Sequence, residues 1–573
     1  MFVAYLTYRY LKHLCHDMDN CFAPVRKRTE SIGIVTTLSK TLVQTEAYSR
    51  KDTPIPMQNY DDVAEVIEVS VNQRQTFNGL QIKGDLYVPF KFLESYYEIY
   101  GYMSQNENSK KYIWQHSNAV LSTGYKSGRK YSTTGVYLSM EESNVSNRAR
   151  VKCIHGLHQI PVSTQWDVKG YFYPTQVAQY GLSHLSKYFM EDLHTMKMKV
   201  YDVDSLSENV WKSNGYLRNV YDSSKKSHVI SYKAEEEAPT LLLDSDLTIL
   251  SSYIKFEKQT SWFIVRVEAS DNKVYNLKYI TDDTLIDVVD GLIVHGIGSR
   301  SQWSMMMRDL NVDLVKGLGF QKMKKQTLKI EVFVKKVLDI TFFGSGYIRN
   351  ITLAVSNNID RVMAAADWFV ANQDNVGGWK NNVPRHVFKG MYRAPGWYSA
   401  MAQGQAISLL CRVYHLTKKS KYLRTALRAT QVFEVSSYGD GVLADLFGQP
   451  WYEEYPTNPS LFVLNGFMFS LFGLYDLSKT AVGNESLKAE QLFKEGLRTL
   501  ISKISLFDNG QGTFYDLRHL TVPGTPPNRA RWDYHVVHLE QLQALVGITG
   551  NPVLNRILQR WKGYLVGERA NHN

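Results

Sequence analysis

The sequence predicts a multidomain β + α protein: an N-terminal β-hairpin domain, a middle antiparallel β-sandwich or barrel, and a C-terminal α/α toroid-like helical domain. Two observations carry that prediction. Apolar residues alternate with a period of two as far as about residue 355, and after Ser356 they recur at helical spacing. At 573 residues the chain is also too long for one ordinary core. Its 44% hydrophobic and 21% charged residues are those of a folded globular protein.

The elements follow in order. Residues 1–57 are mixed and polar and read as a tail or stem. Its opening, "MFVAYLTYRYLKHLCHDMDN", carries Arg9 and Lys12 and is too short and too charged to span a bilayer. Residues 58–197 form the hairpin domain: "VAEVIEVSVNQRQTFNGLQIKGDLYVPF" alternates, and Asn78-Gly79 reads as the turn between two β-rich runs. Residues 198–355 hold strand-length, β-branched runs such as "TLLLDSDLTILSSYIKF" and "SWFIVRVEAS", with no helical run, and read as the sandwich or barrel.

Residues 356–573 form the helical domain. Within it "QGQAISLLCRVYHLTK" at Gln403 and "NGFMFSLFGLYDLSK" at Asn465 overlay about 62 residues apart, each followed by a second amphipathic helix. Repeated helix pairs of this length suggest an α/α toroid whose loops gather at one end. Packed helices with glycine at close crossings explain the same apolar pattern, but not the loops.

Composition narrows the partners. A formal charge of +11 favours a polyanion: nucleic acid, an anionic membrane or an acidic polysaccharide. No long Lys/Arg run, zinc-finger spacing or RNP-like segment argues for nucleic acid. The 37 Tyr and 11 Trp offer flat faces for sugar rings, although aromatic richness more often serves packing. Cys15, Cys21, Cys153 and Cys411 form no CxxC pair or metal-type cluster, so disulfides are not the framework. Sequons at Asn144, Asn350 and Asn484 permit a secretory-pathway location, at about the rate chance supplies them.

Three loops mix Tyr with ionisable partners: "WYEEYPTNPS" at 451, "GTFYDLRHL" at 512 and "RWDYHVVH" at 531. With an acidic sugar, such a set suits removal of the weakly acidic proton beside the carboxylate. That step needs the carboxylate neutralised and the enolate held by preorganised donors. Arg518 has the fork for that clamp. Glu454 and Tyr534 suit the two faces of the sugar, the Glu with its pKa raised by burial and the Tyr with its own lowered by nearby cations. Each residue also has a plainer reading. Glu453 and Glu454 favour the N-terminus of a helix beginning near Ser460; Tyr515 and Tyr534 are half-buried structural phenols; Asp516 and Arg518 form a surface ion pair. His519, His535 and His538 are acid-base candidates by type, but "HVVH" lacks a third metal ligand. No P-loop, dinucleotide fingerprint, GxSxG or HExxH is present.

The strings "WYEEYPTNPSLFVLNGF", "YDLRH", "ARWDYH", "PGWYSAMAQGQAIS", "NQDNVGGW" and "STQWDVKGYFYPTQVAQYGLSH" resemble the heparan sulfate (heparosan N-sulfate) D-glucuronyl C5-epimerase family. The resemblance runs from about Val88 to the carboxyl terminus and is strongest after Val376. It implies an enzyme that removes the C5 proton of glucuronate within an N-sulfated heparosan chain and reprotonates it from the other face, giving iduronate. It further implies a homodimer in the Golgi lumen, normally anchored as a type II membrane protein beside other heparan and heparin biosynthetic enzymes. No nucleic-acid partner and no catalytic cofactor are implied.

By motif, Glu454 and Tyr534 resemble the acid-base pair and Tyr515 a third catalytic phenol. Arg518 resembles the carboxylate grip, and Tyr455 and Tyr173 resemble residues lining the site. The family pattern has Asp where Arg349 stands in "YIRNIT", at a structural calcium of the middle domain, and Arg cannot ligate calcium. Asn118 breaks a Tyr-rich stretch of the family. Two rivals remain: a uronate polysaccharide lyase, which shares the first step and then breaks the bond at C4, and a catalytically silent heparan-binding protein.

Overall fold

The computed structural model describes residues 65–71, 75–82, 84–88, 100–106, 109–115 and 130–571, apart from 193–195, 213–215, 235–236, 323–331 and 566–567. The expected tail at 1–57, with Cys15 and Cys21, and Asn118 lie outside the described residues. The chain divides into two units, residues 1–120 and 121–573.

In the first unit, β1 (Glu65–Val71), β2 (Gln75–Ile82) and β3 (Asp85–Tyr87) form an antiparallel sheet, and β4 (Tyr100–Asn106) pairs with β5 (Ser109–Gln115). Asn78-Gly79 is not the turn. It lies inside β2, opposite Glu68 and Ile67. The reason is close approach: a Cβ on Gly79 would sit 2.7 Å from Leu86 Cδ1 of the neighbouring strand.

The second unit opens with the hairpin β6 (Val151–Ile154) and β7 (Pro161–Ser163), then α1 (Pro174–Met190), which starts with proline at its first position. Residues 130–190, grouped by sequence with the front hairpins, contribute Tyr137, Val151, Ile160 and Leu182 to the same core as the C-terminal helices.

The sandwich has a six-stranded and a seven-stranded sheet. The first runs β10 (Tyr216–Asp222), β11 (Ser227–Lys233), β20 (Ser345–Ala354), β13 (Ile249–Phe256), β18 (Ser304–Asp309), with β8 (Met198–Tyr201) also on β20. The second runs β16 (Asp287–Val289), β17 (Leu292–Gly296), β15 (Val274–Ile280), β14 (Trp262–Ala269), β19 (Val334–Phe343), β12 (Thr240–Ser245), β9 (Trp211–Lys212). Alternate residues turn inward along each strand, so Phe263, Val265 and Val267 of β14 meet Ile254 and Ile348 from the other sheet in one apolar core.

Two expectations are corrected here. The sheets are not wholly antiparallel, because β17 runs parallel to β15. The region also contains a helix, α2 (Leu310–Lys322). Its buried Leu310, Val312 and Leu314 alternate as a strand would, which hides the helix in the sequence. At its first turn Asp313 is paired with Arg308, which also donates to the Ile154 carbonyl and so ties sandwich to hairpin.

The helical region comprises α3 (Asn358–Ala371), α4 (Ala400–Thr417), α5 (Ser420–Ala429), α6 (Leu464–Thr480), α7 (Asn484–Lys503), the single turn α8 (Arg518–Thr521), α9 (Trp532–Thr549) and α10 (Pro552–Leu565). Short hairpins join them: β21 (Arg385–Phe388) with β22 (Met391–Arg393), β23 (Leu443–Asp445) with β24 (Pro450–Tyr452), and β25 (Phe514–Asp516) with β26 (Asn528–Arg529). Helices α1, α4, α6 and α9 are neighbours in that order, and α4 and α6 are the two copies of the repeat. They cross at glycines: a Cβ on Gly404 would lie 2.5 Å from Ser470 Cα, and one on Gly473 2.3 Å from the Gly404 carbonyl oxygen. Among the described residues no helix is long and apolar enough to cross a membrane. Cys153 and Cys411 are buried free thiols.

Below the crossing, Arg412 of α4 and Asp476 of α6 form a fully buried ion pair at 2.5 Å. Tyr131 donates to the same carboxylate at 2.9 Å, and Arg412 donates to the Ser132 and Gly135 carbonyls. Asp476→Ala leaves that guanidinium buried without its counter-charge, and urea unfolding is expected to show a loss of about 3–5 kcal/mol. A loss under ~1 kcal/mol would mean that the helix pair does not depend on the ion pair.

Candidate active site

Strand β24 delivers the loop 453–463 to the N-terminal ends of α4 and α6. The Ala400 N–H at the start of α4 donates to the Glu453 carbonyl at 2.9 Å, fixing the loop's first residues. Helix α6 begins at Leu464 rather than near Ser460, and neither carboxyl is a solvated helix-end charge. Glu453 is 0% and Glu454 4% exposed. Glu453 Oε1 accepts the Phe462 N–H at 3.1 Å. Burial pushes its pKa up to about 8 against the pull of that N–H. Burial likewise pushes Glu454 up to about 7, with the Tyr455 hydroxyl and Arg385 acting downward and Asp516 upward.

Room for Glu454 comes from Gly466 in the first turn of α6. A Cβ there would stand 2.5 Å from Glu454 Oε2 and 2.6 Å from Glu454 Cβ.

Four phenols converge on this carboxyl. Tyr173 precedes the first turn of α1, Tyr515 lies on β25, Tyr534 lies in the first turn of α9, and Tyr455 follows Glu454. Burial raises each above its ordinary range, and a negative charge on Glu454 raises all four further. The rings of Tyr515 and Tyr534 meet edge to face at 4.9 Å. The expected lowering of the Tyr534 pKa is therefore corrected: Arg531 and Arg150 act downward, but burial, Glu454 and Asp533 outweigh them. At neutral pH these phenols are acids, and Glu454 is the group poised to act as a base.

Arg518 occupies the site's edge with its fork committed. It chelates Asp516 through Nε at 2.8 Å and Nη2 at 2.5 Å and lies 4.3 Å above the Phe388 ring. Asp516 is itself fully buried and also accepts from Asn528 at 2.7 Å, so the pair is not a surface one. Arg385, on β21, escaped the sequence reading because "PRHVFKG" carries no pattern. It lies 4.9 Å over Trp166 and 5.5 Å over Tyr455, its buried Nε has no hydrogen-bond partner, and it is in no ion pair among the described residues. Trp166 also packs against Tyr173 at 4.9 Å and Trp397 at 5.6 Å, building an aromatic wall.

Two of the three candidate histidines join neighbouring elements. His535 and His538 share the Thr513 hydroxyl at 3.1 and 2.9 Å, and His535 Nε2 meets the Trp561 carbonyl at 3.1 Å. Together they lock the β25 segment to α9, and so Tyr515 to Tyr534. His519 packs on Phe514 at 5.0 Å. No group of three His, Cys, Asp or Glu side chains suited to a metal gathers among the described residues. The residues around Arg349 do not fit the calcium that the resemblance implies: Arg349 pairs across the sheet with Tyr253, placing a cation where a carboxylate ligand belongs.

A β-sandwich is joined to a helical domain beside which a near-neutral carboxyl, four protonated phenols and a guanidinium outside any ion pair among the described residues come together, an arrangement able to move a proton on an acidic substrate. Models of the D-glucuronyl C5-epimerase C-terminus and of the D-glucuronyl C5-epimerase β-sandwich domain match residues 373–563 and 226–345. The chain is 32% identical over 545 residues to the D-glucuronyl C5-epimerase of Caenorhabditis elegans, covering 85% of this chain and 87% of that protein. A 176-residue stretch is 27% identical to the uncharacterized protein MJ1128 of Methanocaldococcus jannaschii, covering 29% of this chain and 52% of that one. The chain belongs to the D-glucuronyl C5-epimerase family.

Two variants test the geometry. Gly466→Ala drives a methyl into Glu454 and is expected to lower kcat at least tenfold while the thermal midpoint stays within a few degrees; unchanged kcat would show that Glu454 has slack. For Glu453, a pKa raised from about 4.3 unfolded to about 8 folded means that stability is full below pH 4.3 and falls as the pH rises towards 8. Glu453→Gln, which keeps an acceptor for Phe462, should therefore gain on the wild type between pH 5 and pH 8, on the order of a few kcal/mol. An equal difference at both pH values would place the Glu453 pKa near its ordinary value.

Proposed function

We propose that the protein is a polymer-level glucuronyl C5-epimerase, an isomerase acting on N-sulfated heparosan in heparan sulfate and heparin biosynthesis. The single observation that carries this reading is the pairing of one buried carboxyl near pH 7 with phenols kept protonated around it. Epimerisation needs a base on one face of C5 and an acid on the other.

The uronate carboxylate binds Arg385, whose guanidinium is free to accept it bidentately, with Trp166 and Tyr455 as the aromatic floor. Arg518 holds Asp516 and, through it, the β25 segment that carries Tyr515. Neutralising the carboxylate lowers the cost of the enolate, and Tyr455, Tyr173 and Tyr515 supply hydrogen-bond donors towards the developing charge. Glu454 takes the C5 proton; Tyr534 returns one from the opposite face, and the reverse reaction exchanges their roles. No metal or cofactor takes part in these steps. A lyase would share the first of them, but the family membership favours retention of the bond at C4.

The reading extends to the surroundings. The series α1, α4, α6, α9, each with an outer partner helix, supports an α/α toroid whose loop end holds the site. A homodimer in the Golgi lumen, working beside other heparan-modifying enzymes, belongs to the same proposal.

The test is incubation with N-sulfated heparosan in heavy water, read by NMR. Deuterium at C5 with iduronate is expected, and Glu454→Gln should abolish both while the fold is retained. In the wild type kcat/KM should rise with pH through a one-proton step near 7. Unsaturated chain ends would mean a lyase, and binding without exchange a silent binding protein.

A further inference from the structure

The outward face of the six-stranded sheet carries a cross-strand row of cations and aromatic rings. The register sets Arg218 of β10 beside Ser231 of β11, Ser231 beside Tyr347 of β20, and Tyr347 beside Lys255 of β13. The next row pairs Arg349 with Tyr253. These residues point away from the sandwich core, which their neighbours Leu217, Tyr232, Ile348 and Ile254 enter. From β10 to β13 the row crosses three strand spacings, roughly 14 Å.

The cations alternate with flat rings. Lys255 Nζ lies 5.4 Å from the Tyr347 centroid, and Lys225, from the β10–β11 turn, lies 5.6 Å from Tyr253 and 5.9 Å from Trp303. Two acids at the rim hold rings rather than cations: Asp222 accepts from Trp303 Nε1 at 2.8 Å and Glu257 from the Tyr347 hydroxyl at 2.9 Å. None of Arg218, Lys225, Lys255 and Arg349 is in an ion pair among the described residues, and the buried Arg349 Nε has no partner. Tyr253 is 38% and Tyr216 37% exposed. Four cations outside any ion pair among the described residues, one of which, Arg218, is stacked 3.8 Å over the exposed Tyr216 ring, stand among exposed and half-buried rings and complement a chain that alternates anionic groups with the flat faces of sugars.

We propose that this sheet face is a second binding surface for an acidic, sulfated polysaccharide, separate from the loops of the helical region and holding a different stretch of the same polymer. The identity of that polymer as the enzyme's own substrate rests on the function proposed above. Tethering one stretch of a chain raises the effective concentration of its other residues at the site without altering the chemistry there.

The test uses full-length protein with Arg218→Ala, Lys225→Ala and Lys255→Ala combined, and a charge-keeping control with Arg218→Lys, Lys225→Arg and Lys255→Arg. The alanine variant is expected to elute from immobilised heparin at lower salt, with its dependence of log affinity on log salt shallower by roughly two. Its KM for long N-sulfated heparosan should rise about tenfold, with kcat and the KM for a short oligosaccharide unchanged, and the control should match the wild type. Unchanged elution and polymer KM would overturn the proposal, as would an equal loss of affinity for duplex DNA, which would mark a general cation patch. The two readings fail separately. If the wild type exchanges no C5 proton but the alanine variant alone loses heparin affinity, the surface stands and the epimerase reading falls; normal exchange with unaltered affinity gives the reverse.

Discussion

The close crossing of α4 and α6 is the constraint from which the site follows. Backbones that meet at Gly404, Ser470 and Gly473 leave no tolerance for sliding, and the Arg412–Asp476 pair fixes rotation of one helix against the other. With both helices fixed, their N-terminal ends are fixed too. The loop between β24 and α6 then has few ways to run, and the one it takes buries two consecutive carboxyl groups. Burial pushes Glu454 up to about 7 against the downward pull of the Tyr455 hydroxyl and Arg385, so the helix crossing, through burial, sets its acid-base character.

Around that carboxyl the electrostatics divide the labour. The phenols are pushed upward by the same burial and by Glu454 itself, which separates the pKa values of base and acids rather than bringing them together. The two guanidiniums divide in the same manner. Asp516 occupies one, and an aromatic wall holds the other open. Sequence alone favoured Arg518 because its fork fits a carboxylate and because it stands in the motif "YDLRH". The geometry favours Arg385, whose neighbours in the chain say nothing about the Trp166 and Tyr455 rings that meet it in space.

What the sequence made legible was local or periodic. The helical spacing after Ser356 and the repeat at Gln403 and Asn465 are properties of short windows, and each has its counterpart in the fold; of the three Tyr-bearing stretches read as loops, only the one carrying Glu454 is a loop, Tyr515 lying on β25 and Tyr534 in the first turn of α9. What it hid depends on contacts between distant residues. Asn78-Gly79 reads as a turn until β3 is seen against it. The helix Leu310–Lys322 went unread within residues 198–355 because Leu310, Val312 and Leu314 alternate, without a helical stripe. Residues 130–190 read as part of the front domain because nothing in their own pattern announces that α1 packs on α4. Gly466 carries no chemistry at all, and only the position of Glu454 gives it meaning.

The hydroxyl of Thr513 has a single hydrogen, and two imidazoles lean on it. His535 must keep its proton on Nε2, since the Trp561 carbonyl can only accept, so its Nδ1 is the ring's lone pair and takes the Thr513 hydrogen. His538 must then offer its own Nδ1 proton to the Thr513 oxygen, leaving Nε2 bare in the interior. The two rings are therefore opposite tautomers, and the chain of donors points one way, from His538 through Thr513 to His535. A proton added to His535 Nδ1 has nowhere to go without reversing that order. The joint between the strand of Tyr515 and the helix of Tyr534 thus holds as long as both imidazoles stay uncharged, and burial, which depresses both of their pKa values, keeps them so.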